Sequence, residues 1–184
     1  LLIFLSTVTA CDSNPLVITK GNPNLKPSFS HNEMADFNSF NIELMQGIYS
    51  WLWFNGTRNS IDNKTTYDNQ TGVRTTMPMN INGNWNGGGG FGFNAGLGKQ
   101  KLFNFGLDLG ADYSRHVGFY NNDDDAADTK TVTRSINFDG GIEFSYRTDK
   151  FSAMLNNRLE YANAKNNLNE MANKNTYDFS YGAE

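Results

Sequence analysis

The chain has 184 residues with 38% hydrophobic side chains, a mean hydropathy of −0.56, 14% aromatics and 18 glycines. Its formal net charge is −4, from 15 basic and 19 acidic residues with no basic cluster, which argues against nucleic-acid binding. One cysteine excludes an internal disulfide and a Cys-based zinc site, and the absence of any apolar run of about 18 residues excludes a spanning helix.

Leu1–Ala10, LLIFLSTVTA, is an apolar run with the length of a signal core, not of a span. Val8-Thr9-Ala10-Cys11 looks like a bacterial lipobox, which makes Cys11 a candidate for lipidation; the alternative is a strand cut by the start of the sequence. With no initiator Met, the chain is expected to be a fragment or a processed product. Two regions follow: 1–11, and 12–184 as a β-barrel segment.

Asp12–Pro27 is turn-rich, because Pro15, Pro23 and Pro27 with Asn14, Gly21 and Asn22 forbid a regular helix. Ser28–Asn38 is a poor strand candidate by pattern. Over Ile42–Arg58, Tyr49, Trp51 and Trp53 share one face, and Ile48, Ser50, Leu52 and Phe54 the other. Such an aromatic cluster suits a membrane–water boundary or an ordinary buried cluster.

Val73–Gly98 reads as a single long strand. Met77, Met79, Ile81, Trp85, Phe91, Phe93 and Leu97 alternate with Asn80, Asn82, Asn84, Asn86, Asn94 and glycines. Soluble strands run about 5–6 residues. One of roughly 20, apolar on one face only, suits a transmembrane barrel, where about 9–11 residues cross the lipid. The same alternation sets Phe103, Phe105, Leu107, Leu109 and Tyr113 against Asp108 and Asp112, then Ile136, Phe138, Ile142, Phe144 and Tyr146 against Asp139 and Glu143. Phe151, Leu155, Leu159 and Tyr161 oppose Arg158 and Glu160, and Tyr177, Phe179 and Tyr181 open a last strand.

Short connections are expected near Asp36–Asn41, Gly98–Lys101 and Arg147–Lys150, and long polar ones near Asn59–Gly72, His116–Lys130 and Ala164–Asn175. Short turns on one side and long loops on the other match outer-membrane barrels. The expected fold class is all-β: an antiparallel up-and-down meander of about seven long strands. Because bacterial single-chain barrels use even strand numbers of eight or more, it is read as a section of a larger transmembrane barrel.

Met77, Ile81, Trp85, Phe91, Phe93, Phe105, Leu107, Leu109, Phe138, Ile142, Phe144, Leu155 and Leu159 are expected to face lipid. Asn80, Asn82, Asn84, Asn86, Asp108, Asp112, Asp139, Glu143, Arg158 and Glu160 are expected to face the lumen, as lining groups or as solvated and paired charges. Gly87-x-Gly89-x-x-Gly92 spells a dinucleotide fingerprint, but inside a period-2 strand it lacks the following helix that binds phosphate. Asp123, Asp124, Asp125 and Asp128 are weak calcium candidates, with the right oxygen ligands and without EF-hand spacing. His31 and His116 are isolated, no GxSxG elbow occurs, and neither catalysis nor a cofactor is expected.

Gly21–Asn32, GNPNLKPSFSHN, closely resembles the GNP-x-LKPE-x-S-x-N signature in the barrels of Bacteroidota TonB-dependent outer-membrane receptors. Asn63–Trp85 resembles the strand–loop–strand that follows it, and Asn175–Glu184 is similar to a later strand. The resemblance covers Asp12–Glu184; Ser28 stands where the family often has Glu. It implies the C-terminal part of a large barrel in the outer membrane, of the kind with about 22 strands and a plugged lumen. It implies TonB-driven import of a scarce nutrient whose identity it does not give, with outer-membrane lipid, a plug domain and TonB as partners of the full-length protein. The competing expectations are a small self-contained barrel with a structural or adhesive role, and a lipoprotein anchored through Cys11.

Overall fold

The computed structural model describes residues 10–11, 15–119, 130–168, 170 and 173–184. Its regular elements are all β-strands. In chain order they are β1 (Ala10–Cys11), β2 (Val17–Thr19), β3 (Phe29–Asn41), β4 (Gln46–Arg58), β5 (Ser60–Tyr67), β6 (Arg74–Ile81), β7 (Asn84–Leu97), β8 (Phe103–Phe119), β9 (Lys130–Arg147), β10 (Ser152–Asn166) and β11 (Lys174–Ala183). Seven of them form an antiparallel meander in the order β11-β10-β9-β8-β7-β4-β3. The other four form a second sheet, β1-β2-β6-β5, in which β2 runs parallel to β6.

The chain divides into two compact units: Leu1–His31, Gly56–Trp85 and Arg115–Thr133 make the first, and Asn32–Asn55, Asn86–Ser114 and Arg134–Glu184 the second. The first holds a small core. Ile81 (1% exposed), Val117 (2%) and Phe119 (9%) are buried together, with Met79 and Val132 packed against them. Here the long strand expected over Val73–Gly98 breaks. β6 ends at Ile81 and β7 begins at Asn84, because Gly83 turns the chain with φ at +107°. Arg115 Nη1 donates to the Gly83 carbonyl at 2.6 Å, and the Asn84 side chain accepts from the Val117 amide at 2.6 Å. A Cβ at Gly83 would run into the Arg115 guanidinium and lie 3.1 Å from Val117 Cγ2. Gly83→Ala is therefore expected to cost about 1–3 kcal/mol, from the strained φ and the close approach together. Denaturant titration of the folded fraction checks it; an unchanged midpoint contradicts it.

The proline-rich segment Gly21–Pro27 cannot supply a regular ladder, and side-chain amides hold it instead. Asn22 Nδ2 donates to the Pro78 carbonyl at 3.0 Å. Asn80 accepts from the Lys26 amide at 2.7 Å and donates to the carbonyls of Lys26 and Asn59, both at 2.9 Å. Asn59 Nδ2 donates to the Pro27 carbonyl at 3.4 Å, and its own amide donates to Asn82 Oδ1 at 2.6 Å.

Several expectations are corrected. Asp36–Asn41 is not a turn but the end of β3, a strand exposed along its whole length; the turn is Ile42–Met45, where Asn41 Oδ1 accepts from the Leu44 amide at 2.9 Å. Most of the long polar connection at Asn59–Gly72 is β5, a hairpin partner of β6 from Ser60↔Ile81 to Tyr67↔Arg74. His116 lies within β8, and the connection after it begins beyond Phe119. The short connections at 98–102 and 148–151 stand close to where the sequence put them.

Candidate functional site

In the second unit, alternation gives the sheet one apolar and one polar face, and ring contacts fix the rows of the apolar one. Phe103 meets Tyr146 at 4.7 Å between ring centroids, and Tyr146 meets Phe151 at 6.3 Å, beside the short turns. A second row has Phe138 against Tyr161 at 6.3 Å and Tyr161 against Tyr177 at 4.8 Å. Between them Phe105 touches Phe93 at 6.3 Å and Phe144 at 5.1 Å. From Phe103 to Tyr113 on β8, and from Phe151, just before β10, to Tyr161 within it, the chain advances ten residues, and from Phe138 to Tyr146 on β9 it advances eight. Eight to ten residues at ~3.3 Å each, tilted by ~35–45°, rise about 19–27 Å, which brackets the height of an outer-membrane hydrocarbon band.

The polar face is built on glycines. Tyr49, Trp51 and Trp53 of β4 lie over Gly92, Gly90 and Gly88 of β7, each ring close to where a Cβ would stand. At Gly90 that Cβ would be 2.7 Å from Cε2 and Cζ2 of Trp51. The missing side chains let the rings lie down and reach the next strand. The Tyr49 hydroxyl donates to the Asp108 carboxylate, and the Gly88 Cβ site is shared by the Trp53 indole nitrogen and the Asp112 carboxylate. Further along, the Asp139 carboxylate covers Gly110. Arg158 lies 4.0 Å from Asp139 and 2.8 Å from Glu160, all three partly open to solvent. Exposed pairs of this kind contribute little stability, about 0–1 kcal/mol. The arrangement is a surface of three aromatic plates bordered by carboxylates, with one arginine among them. It is chemically suited to touching a solute or a polypeptide segment.

This triad is what the sequence reading missed. Tyr49, Trp51 and Trp53 lie on the face of Asp108 and Asp112, not with the aromatic rows of the apolar face. The signal was present: glycines at 88, 90 and 92 match the two-residue spacing of the three aromatics.

The apolar positions expected outward are accessible in the second unit. Leu109 is 50% exposed, Leu155 61% and Leu159 53%, and Phe91, Phe138, Ile142 and Phe144 are also exposed. Phe93, Phe105 and Leu107 are half-buried by their neighbours, and Trp85, in the first unit, is exposed. Ile81 departs from the expectation, since it is buried in the first unit's core, and Met77 sits on the short strand β6 opposite Lys64. Asn80, Asn82 and Asn84 are occupied in satisfying backbone groups of the first unit instead of lining a free surface. Asn86 and Glu143 are in β7 and β9, Glu143 beside Gly106. Asp123, Asp124, Asp125 and Asp128 lie outside the described residues. Gly87, Gly89 and Gly92 are all inside β7.

The β5–β6 hairpin turn is held by one carboxylate. The Thr71 hydroxyl and the amides of Gln70 (2.8 Å) and Thr71 (3.2 Å) donate to Asp68, which holds its carboxyl below the ordinary aspartate range. A group whose folded pKa is lowered stabilises the fold above its unfolded pKa, and that contribution is lost as pH falls through the folded value. The amide shifts of Gln70 and Thr71 are therefore expected to stay constant through the ordinary aspartate range and to move only in stronger acid. A titration centred at or above the ordinary value contradicts this.

Among known protein families, the model described as "Outer membrane protein beta-barrel family" matches residues 9–183. Searches of curated proteins and of solved structures returned no match.

Proposed function

Since the chain belongs to the outer membrane protein beta-barrel family, we propose that its seven-stranded meander is part of the barrel wall of a TonB-dependent nutrient receptor. The protein resides in the bacterial outer membrane. The observation that carries the reading is the interval of eight residues on β9 (Tyr146 to Phe138) and ten towards β10 (Phe151 to Tyr161) between the two aromatic rows, with charged residues confined between them to the opposite face. In this reading Phe91, Phe93, Phe105, Leu107, Leu109, Phe138, Ile142, Phe144, Leu155 and Leu159 face lipid. Tyr49, Trp51, Trp53, Asp108, Asp112, Asp139, Glu143, Arg158 and Glu160 face the lumen, where they meet the plug or the passing solute. The exposed edges at β3 and β11 pair with further strands of the same barrel, since an unpaired edge in lipid leaves backbone groups unsatisfied. The mechanism is gated passage and not catalysis, driven through TonB by the full-length protein. Support for this finer assignment is the likeness of Gly21–Asn32 to the receptor signature of Bacteroidota.

The test is genetic. Uptake of ferric chelates, cobalamin and oligosaccharides is compared in cells lacking this gene, lacking TonB, or lacking both. The reading expects one solute whose uptake falls equally in all three. If loss of the gene leaves every TonB-dependent uptake intact, the receptor role is wrong.

A further inference from the structure

The apolar face of the second unit carries a depression of about 640 Å³ that the proposed function leaves unused. Gly89 and Gly140 lie at its floor, where the side-chain ends of Leu52 and Leu109 come down over them, and Phe91, Phe138, Leu159 and Tyr161 complete its walls. It lies directly beneath the aromatic row of Tyr161 and Tyr177, on the side of the sheet's midline away from the short turns. Outer-membrane barrels carry short turns on the periplasmic side and long connections outside, so the depression is at the depth of the outer leaflet.

Beyond that aromatic row, the same alternation continues along β9 through Ile136 to Arg134 and along β10 through Asn163 to Lys165. Arg134 and Lys165 are both exposed, and neither side chain has an ion-pair or hydrogen-bond partner among the described residues. They sit two residues past Ile136 and four past Tyr161, the level at which lipid headgroups begin. Exposed cations at that level are placed to attract anionic lipid headgroups, about 1 kcal/mol for each Lys or Arg.

We infer that this face holds one lipid of the outer leaflet, a phosphorylated glycolipid of the lipid A type. One acyl chain lies in the Gly89–Gly140 depression, and a phosphate meets Arg134 and Lys165. A straight chain fits a trough whose lining is almost wholly apolar, and two cations at headgroup height favour phosphate over a zwitterionic headgroup. The inference rests on the apolar face turning to lipid, and it is independent of what the receptor imports.

The test titrates the delipidated, detergent-solubilised protein with lipid A, dephosphorylated lipid A and phosphatidylglycerol, reading bound lipid by native mass spectrometry. Arg134→Gln with Lys165→Gln is expected to weaken lipid A binding roughly 25-fold, about fivefold for each cation lost near the headgroups. The double variant should bind dephosphorylated lipid A as the wild type does. Gly140→Val fills the floor, where the nearest neighbour is the flexible end of Leu109 at 3.3 Å, and is expected to weaken both forms of lipid A. The inference is overturned if the double variant binds lipid A normally, if dephosphorylated lipid A or phosphatidylglycerol binds as tightly, or if folded Gly140→Val is unaffected. Should Gly140→Val fail to fold, the exposed-charge variant decides alone. A carbene probe dissolved in the lipid phase reports separately on orientation. Failure to label Phe138 and Leu109 in the wild type overturns the lipid-facing reading itself. Labelling without lipid A preference overturns only this inference.

Discussion

Leu107→Arg is expected to lower the stability of the assembled protein by about 2–4 kcal/mol, and Leu109→Arg by a similar amount. Both leucines lie midway between Phe103 and Tyr113, which bracket the apolar stretch of β8, so in the proposed wall each side chain is at the centre of the hydrocarbon. An arginine there has no water and no counter-ion within reach and can only snorkel past half the band. Asp108, one residue away, behaves differently. Asp108→Leu removes the acceptor of the Tyr49 hydroxyl and costs about 0.5–1.5 kcal/mol, with no lipid penalty. Urea titration of the protein folded into vesicles gives all three values. The sharp difference between neighbours is the signature of a one-sided membrane strand; arginine tolerated at both leucines contradicts it.

Gly90→Val is expected to cost about 3 kcal/mol, the upper end of ordinary overpacking. The group it strikes is the Trp51 indole, 2.7 Å from the new Cβ, and a ring cannot give way as the tip of a flexible chain does. The indole would have to leave its place against the sheet, losing contact area and uncovering the glycine backbone. The cost belongs to the pair, so Trp51→Ala should remove most of it. A double-mutant cycle is expected to return a coupling of about 1–3 kcal/mol. Additive effects of the two substitutions would mean that Trp51 does not lie over Gly90. The same logic applies with Tyr49 over Gly92 and Trp53 over Gly88, which is why three glycines recur in β7 at the spacing of β4's aromatics.

The long strands of the meander were legible because each must hide one face from water while keeping the other wet, and a period of two records that demand residue by residue. β8, β9 and β10 follow it almost without exception. β3 was not legible, since its 13 residues are all exposed and nothing sorts them into faces. The break between β6 and β7 was hidden for the opposite reason. Met77, Met79, Ile81 and Trp85 stay in phase across Gly83, so the pattern runs on where the backbone turns with φ at +107°. Only the pairing of β6 with β5 and the burial of Ile81 separate the two. The polar-face triad was half visible: alternation put Tyr49, Trp51 and Trp53 on one face, but which face needed their glycine partners on the neighbouring strand. The asparagines at 80, 82 and 84 read as lining because they alternate; their amides are spent on the backbone of the Gly21–Pro27 segment and on Asn59 and Val117.

In the proposed wall β8 has lipid on one side and an aqueous or protein-filled interior on the other. Spin labels placed singly from Phe103 to Tyr113, with Cys11 replaced by Ser, measure it directly through collision with oxygen and with a water-soluble nickel chelate. A period of two is expected in the ratio of oxygen to nickel accessibility, with its maxima at 105, 107, 109 and 111. A flat profile, or maxima at the even positions, would contradict it.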